Sequence, residues 1–132
     1  IHACSAHLHL PMWLNEGIAT VAVDRYLGKT TILEDTLELL RDDQPKTPPP
    51  TYRQLARMQG KAIVYHTTRA YWLTRYLLEH HPEFIQGLLR KRRKSEEISR
   101  LIAKELNIEP HTFWHEIDNL LVKYFISENN AN

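Results

Sequence analysis

The helical spacing of the apolar residues is the feature that most constrains the fold of this chain. Apolar side chains recur about every 3.6 residues in several segments, and no segment alternates apolar and polar residues as a half-buried strand does. Only four glycines occur among the 132 residues, and the prolines lie at or near the ends of the periodic segments. The sequence therefore predicts an all-α fold.

Proline and glycine mark the predicted helix boundaries. Residues 1–9 are expected to end a helix that Pro11 cannot continue, and Gly28 is well placed to end the next one, at 12–27. Further helices are predicted at 30–43, 51–58, 61–81, 82–94, 95–106 and 110–125, with a stiff proline-rich connector at 44–50. The helix at 61–81 carries two apolar stripes, which predicts that it is buried on more than one side and lies at the centre of the fold.

Length and charge limit the classes of function. A chain of this size is expected to form one domain, which we place at 1–126, followed by a flexible tail at 127–132. The net charge of +1 provides no global attraction to nucleic acid, so we predict no nucleic-acid partner. The basic run 90–94 is interpreted as a solvated helix end. Cys4 is the only cysteine, which excludes an internal disulfide and a thiolate zinc cluster.

An acid interrupts the otherwise apolar segment LPMWLNEGIAT, residues 10–20. A carboxylate on a core helix needs a compensating partner, which can be a metal ion, an arginine or solvent. The segment resembles the third-ligand helix of the gluzincin zinc metallopeptidases, which reads Trp-Leu-x-Glu-Gly-x-Ala. The matching residues are Trp13, Leu14, Glu16, Gly17 and Ala19.

This resemblance implies a zinc site. In that superfamily an upstream helix carries His-Glu-x-x-His, whose two histidines bind zinc together with the later glutamate, while the glutamate of the motif is the general base. The resemblance implies that His2 and Glu16 are metal ligands here and that the first histidine and the base precede Ile1. Asn15 and Thr20 are then expected to orient the carboxylate from the outer shell.

The wider resemblance is to the compact domains called peptidase-MA-like. Thirteen residues separate His2 from Glu16, fewer than in the large aminopeptidases of the superfamily, so substrate recognition at a peptide N-terminus is not carried over. The expected fold is the C-terminal half of such a catalytic domain. Tyr65 is the candidate oxyanion donor. The competing interpretation is that Tyr65 is an aromatic residue of the core. Support for an oxyanion role of the neighbouring His66 is equally small.

The resemblance implies a zinc-dependent hydrolase that cleaves a peptide or protein substrate. Because the chain would begin inside its own motif, we expect the 132 residues alone to be inactive. The alternative hypothesis is a catalytically inactive, peptidase-like helical module for protein interaction. The residues that precede Ile1 distinguish the two hypotheses, since His-Glu-x favours the enzyme.

Overall fold

Helices make up the regular structure of this protein. The computed structural model describes residues 10–29, 32, 34–41 and 46–131, and within these ranges it contains six α-helices, one 3₁₀ helix and no strand. The predicted all-α class is confirmed. The elements are α1 (Met12–Leu27), the 3₁₀ helix (Glu34–Leu40), α2 (Tyr52–Leu55), α3 (Lys61–His80), α4 (Pro82–Arg90), α5 (Ser95–Glu105) and α6 (Phe113–Ala131). None of the described helices has the length and apolar character needed to cross a bilayer.

The long helix α3 lies at the centre of the fold, as its two apolar stripes predicted. Every residue from Thr68 to Thr74 is buried, and seven consecutive residues cover about two full turns. A helix buried all round must have neighbours on all sides, and α1, the 3₁₀ helix, α4 and α6 all pack against α3.

Helix α1 crosses α3 at very short range. Trp13, Gly17 and Val21 are buried at four-residue intervals and therefore share the face that meets α3. A Cβ atom on Gly17 would lie 2.0 Å from the hydroxyl oxygen of Thr74 and 2.8 Å from the carbonyl oxygen of Ala70. Glycine is thus the residue that allows this contact between the two helices.

The helix boundaries agree with the prediction at some positions and differ at others. Gly28 ends α1 in the left-handed conformation, with φ of 66°, as the sequence predicted. Within the predicted α-helix at 30–43, the described residues Glu34–Leu40 form a 3₁₀ helix. Its buried Leu37 and Leu40 are three residues apart, and a turn of three residues brings both to one face.

Three further boundaries differ in the second half of the chain. Helix α4 stops at Arg90, the first residue of the basic run, and Lys91 is extended. Lys94 rather than Ser95 occupies the N-cap of α5. Helix α6 continues to Ala131, beyond the predicted end of the helix, whereas the flexibility of 127–132 stays a prediction. The predicted helix within 1–9 lies outside the described residues.

The proline-rich connector is fastened to the core at its start. The ammonium group of Lys46 donates to the carbonyl oxygen of Leu40 at 2.8 Å and to Oδ2 of the fully buried Asp118 at 2.8 Å. After the prolines, a capping box begins α2: the Thr51 hydroxyl accepts from the Gln54 amide, and the Gln54 side chain accepts from the Thr51 amide. The connector and the cap together fix where α2 lies.

Candidate functional site

The segment that resembles a zinc-ligand helix forms the first turns of α1. Trp13 and Leu14 are buried, with 4% and 0% of their surfaces exposed, and Gly17 meets α3. Glu16 is half-buried and lines a cavity of about 240 Å³. Buried residues of the motif thus hold the helix in place, and the acid beside them faces an opening.

The cavity has an apolar wall and a polar one. Trp13, Leu55 and Ala70 contribute apolar surface, together with the last two prolines of the connector. The polar groups are Glu16 and Thr20 from α1, Tyr52 from α2, and His66, Thr67 and Tyr71 from α3. The site is thus built where α1, α2, α3 and the connector meet.

A tyrosine that the sequence analysis did not identify holds the Glu16 carboxylate. The Tyr52 hydroxyl donates to Oε1 of Glu16 at 2.7 Å and accepts from the Asn15 side-chain amide at 3.2 Å. Burial and the hydrogen bond to Glu16 raise the pKa of Tyr52, so the hydroxyl remains a donor at neutral pH. The capping box before α2 was the only local signal, since Tyr52 lies 36 positions after Glu16 in the chain.

The two predicted outer-shell residues contact Glu16 in different ways. Asn15 reaches the carboxylate indirectly, through the Tyr52 hydroxyl. The Thr20 hydroxyl donates to the backbone carbonyl of Glu16 at 2.9 Å, so this bond goes to the helix backbone and not to the carboxylate. Asn15 matches the predicted role more closely than Thr20 does.

Tyr65, the candidate oxyanion donor, lies in the core. Only 3% of its surface is exposed, its hydroxyl donates to Oδ2 of Asp118, and burial followed by that hydrogen bond raises its pKa. The described residues that line the Glu16 cavity do not include Tyr65. Its position fits the competing interpretation of a core aromatic, and a role at an oxyanion stays a prediction.

His66, the next residue, does face the cavity. Its Nδ1 lies 3.1 Å from a terminal guanidinium nitrogen of Arg69. Burial, followed by the positive charge of Arg69, lowers the pKa of His66 to about 4, against the opposing effect of Asp118. The imidazole is therefore neutral at pH 7.

A complete metal site is not present in the part of the chain that the structure describes. No group of three or more histidine, cysteine, aspartate or glutamate side chains is arranged there to hold an ion. Glu16 supplies one carboxylate in the cavity, and the other predicted ligand of this chain, His2, lies outside the described residues. Comparison with protein-family models, curated proteins and solved structures finds no match for this chain.

Proposed function

We propose that this chain contributes Glu16 and His2 to the zinc site of a metallopeptidase that hydrolyses peptide bonds. The observation that carries the proposal is the placement of Glu16: the acid of the Trp-Leu-Asn-Glu-Gly segment lines a cavity while Trp13, Leu14 and Gly17 are buried. The first histidine and the general base are expected in the three positions before Ile1.

The surroundings of Glu16 suit a metal ligand. Carboxylates that bind zinc are commonly oriented by hydrogen bonds from an outer shell, and the Tyr52 hydroxyl, supported by Asn15, is such a donor. Two histidines and one glutamate form a known zinc ligand set that keeps a fourth position open. When bound there, zinc supplies a water whose pKa is lowered from about 15.7 toward roughly 7.

The cavity wall supports a peptide as the substrate. Trp13, Leu55 and Pro50 offer apolar surface beside the acid, and a volume of about 240 Å³ is large enough to receive an apolar side chain. Binding pockets commonly combine an apolar lining with a few polar groups that orient the ligand. We therefore propose cleavage next to an apolar residue of a peptide or protein substrate.

The test uses a chain extended by His-Glu-x before Ile1, which completes the motif. Zinc is measured by atomic absorption after dialysis, and cleavage is followed with a mixed library of peptides. We expect about one zinc per extended chain and no stoichiometric zinc in the 132-residue chain. Glu16→Gln in the extended chain should lose the zinc, whereas Glu96→Gln, at an exposed position of α5, should retain it.

A second substitution separates binding from chemistry. Changing the added glutamate to glutamine should leave the zinc content unchanged and abolish cleavage, because that residue is the general base and not a ligand. Full zinc retention by Glu16→Gln would contradict the proposal. Zinc bound by the extended chain without cleavage of any peptide would favour the inactive interaction module.

A further inference from the structure

Arg69 determines which nitrogen of His66 carries the proton. A guanidinium group has five N–H donors and no acceptor, so Nδ1 of His66, 3.1 Å from Arg69, can take part in this hydrogen bond only as the acceptor. A neutral imidazole that accepts at Nδ1 has its proton on Nε2. The contact therefore selects one tautomer.

The guanidinium group is itself fixed in place. Arg69 is 1% exposed, donates to the Tyr65 hydroxyl at 3.3 Å, and lies over the rings of Tyr65 and Trp114 at 5.0 and 4.6 Å from their centroids. A planar group held by two rings and two hydrogen bonds has little freedom to turn away from His66.

The imidazole of His66 borders the Glu16 cavity, and 8% of the residue is exposed. Nδ1 is turned toward Arg69. The Nε2–H group, on the other side of the ring, is therefore the polar group that His66 can offer to a ligand in that cavity.

The charged groups around His66 favour its neutral form. Burial, followed by the positive charge of Arg69 beside Nδ1, lowers the pKa of His66 to about 4. The negative charge of Asp118 opposes this effect. Within the cavity the titratable side chains are Glu16, Tyr52 and Tyr71. Burial is the first cause of a raised pKa for both tyrosines, so neither hydroxyl is ionised near neutral pH, and the carboxyl group of the cavity is that of Glu16.

We propose that Arg69 is a positioning residue that holds His66 as a neutral Nε2–H donor, and that this donor binds an uncharged carbonyl oxygen in the Glu16 cavity. A peptide amide supplies such an acceptor. The link to peptide cleavage rests on the proposed function, whereas the tautomer and the binding of an amide do not. Glu16 in the same cavity disfavours a carboxylate ligand, because like charges repel.

The tautomer is measured on the full chain without zinc or peptide. Nuclear magnetic resonance of the chain with ¹⁵N-labelled histidine distinguishes protonated from unprotonated ring nitrogens, and His66→Gln identifies the His66 signals by their loss. We expect His66 to be uncharged at pH 6 with its proton on Nε2. A proton on Nδ1, or a charged ring at pH 6, would overturn the proposal. Neither result depends on whether the extended chain binds zinc.

The role of Arg69 is tested by Arg69→Met, which keeps an unbranched apolar stem and removes the donors. The folded variant should show His66 in both tautomers and titrating nearer its usual pKa of about 6.5. An unchanged tautomer in this variant would show that Arg69 does not position the ring. Should the variant fail to fold, the tautomer and charge of His66 in the unmodified chain still decide whether His66 is a neutral Nε2–H donor.

The ligand class is tested with N-acetyl-leucine amide and N-acetyl-leucine, which differ in the carboxylate. We expect the amide to bind more tightly when chemical shifts are followed during titration. His66→Phe should weaken the amide about threefold to tenfold, the effect of losing one neutral hydrogen bond, while His115→Phe, at an exposed position of α6, should change nothing. Equal amide binding by His66→Phe, or tighter binding of the carboxylate, would refute the ligand assignment.

Discussion

Replacing Gly17 by alanine tests the close contact between α1 and α3. The added Cβ atom would lie 2.8 Å from the carbonyl oxygen of Ala70 and 2.0 Å from the hydroxyl oxygen of Thr74. The Thr74 hydroxyl can be displaced by rotation, but a backbone carbonyl of α3 cannot. The two helices must therefore move apart.

Two opposing terms set the size of the effect. Alanine in a helix interior is more favourable than glycine by about 1 kcal/mol, whereas overpacking a buried contact costs about 1–3 kcal/mol. Because the clash involves backbone, we take the upper half of that range and expect Gly17→Ala to lower the free energy of unfolding by about 1–2 kcal/mol.

Gly87 provides the matched control, since it also lies inside a helix, α4, and a Cβ atom there would meet nothing within 4 Å. Gly87→Ala should raise the free energy of unfolding by up to about 1 kcal/mol. Both variants are measured by urea unfolding followed by circular dichroism. Equal stabilisation by the two substitutions would refute the close contact, because the gain in helix propensity is common to both.

Three further predictions concern the polar contacts around the site. Lys46→Met leaves the fully buried Asp118 without its ammonium partner and should lower the free energy of unfolding by about 3 kcal/mol. The control Arg41→Met, in an exposed ion pair, should change it by less than about 1 kcal/mol. Similar losses for the two variants in urea unfolding would contradict this prediction. Tyr52→Phe removes the hydroxyl that links Asn15 to Glu16 and should lower the free energy of unfolding by about 0.5–1 kcal/mol in the same assay. A loss above about 2 kcal/mol would contradict this prediction, because it exceeds the contribution of a partly exposed hydrogen bond. The pKa of His66 is lowered to about 4 in the folded chain and is about 6.5 in the unfolded chain, so the unfolded chain binds the proton first as the pH drops. The free energy of unfolding should therefore fall between about pH 6.5 and about pH 4, by up to about 1.4 kcal/mol per pH unit. A melting series in which His66→Gln shows the same dependence on pH would exclude His66 as the cause.

Local sequence signals were enough to predict the class of fold and much of α1. Apolar periodicity identified the helices, and Gly28 marked the end of α1 because few other residues adopt a positive φ of 66°. The Glu16 segment also indicated a candidate site. These features depend on residues within one helix, and their physical causes act over a few positions of the chain.

The sequence could not predict which of two adjacent aromatic residues faces the cavity. Tyr65 and His66 differ by about 100° around α3, and the two apolar stripes of that helix left both directions plausible. The choice is made by neighbours that are remote in sequence. Asp118 on α6 accepts from the Tyr65 hydroxyl, and the rotation that permits this bond places His66 at the cavity wall.

The contact between Tyr52 and Glu16 shows how local and remote causes combine. The prolines predict a stiff connector, and the capping box predicts the start of α2, but neither says where the connector is attached. Lys46 fixes that point through Asp118, 72 residues further along the chain. Because the connector is stiff, fixing one end also restricts the other, so the buried Asp118 carboxylate helps to set the position from which Tyr52 reaches Glu16.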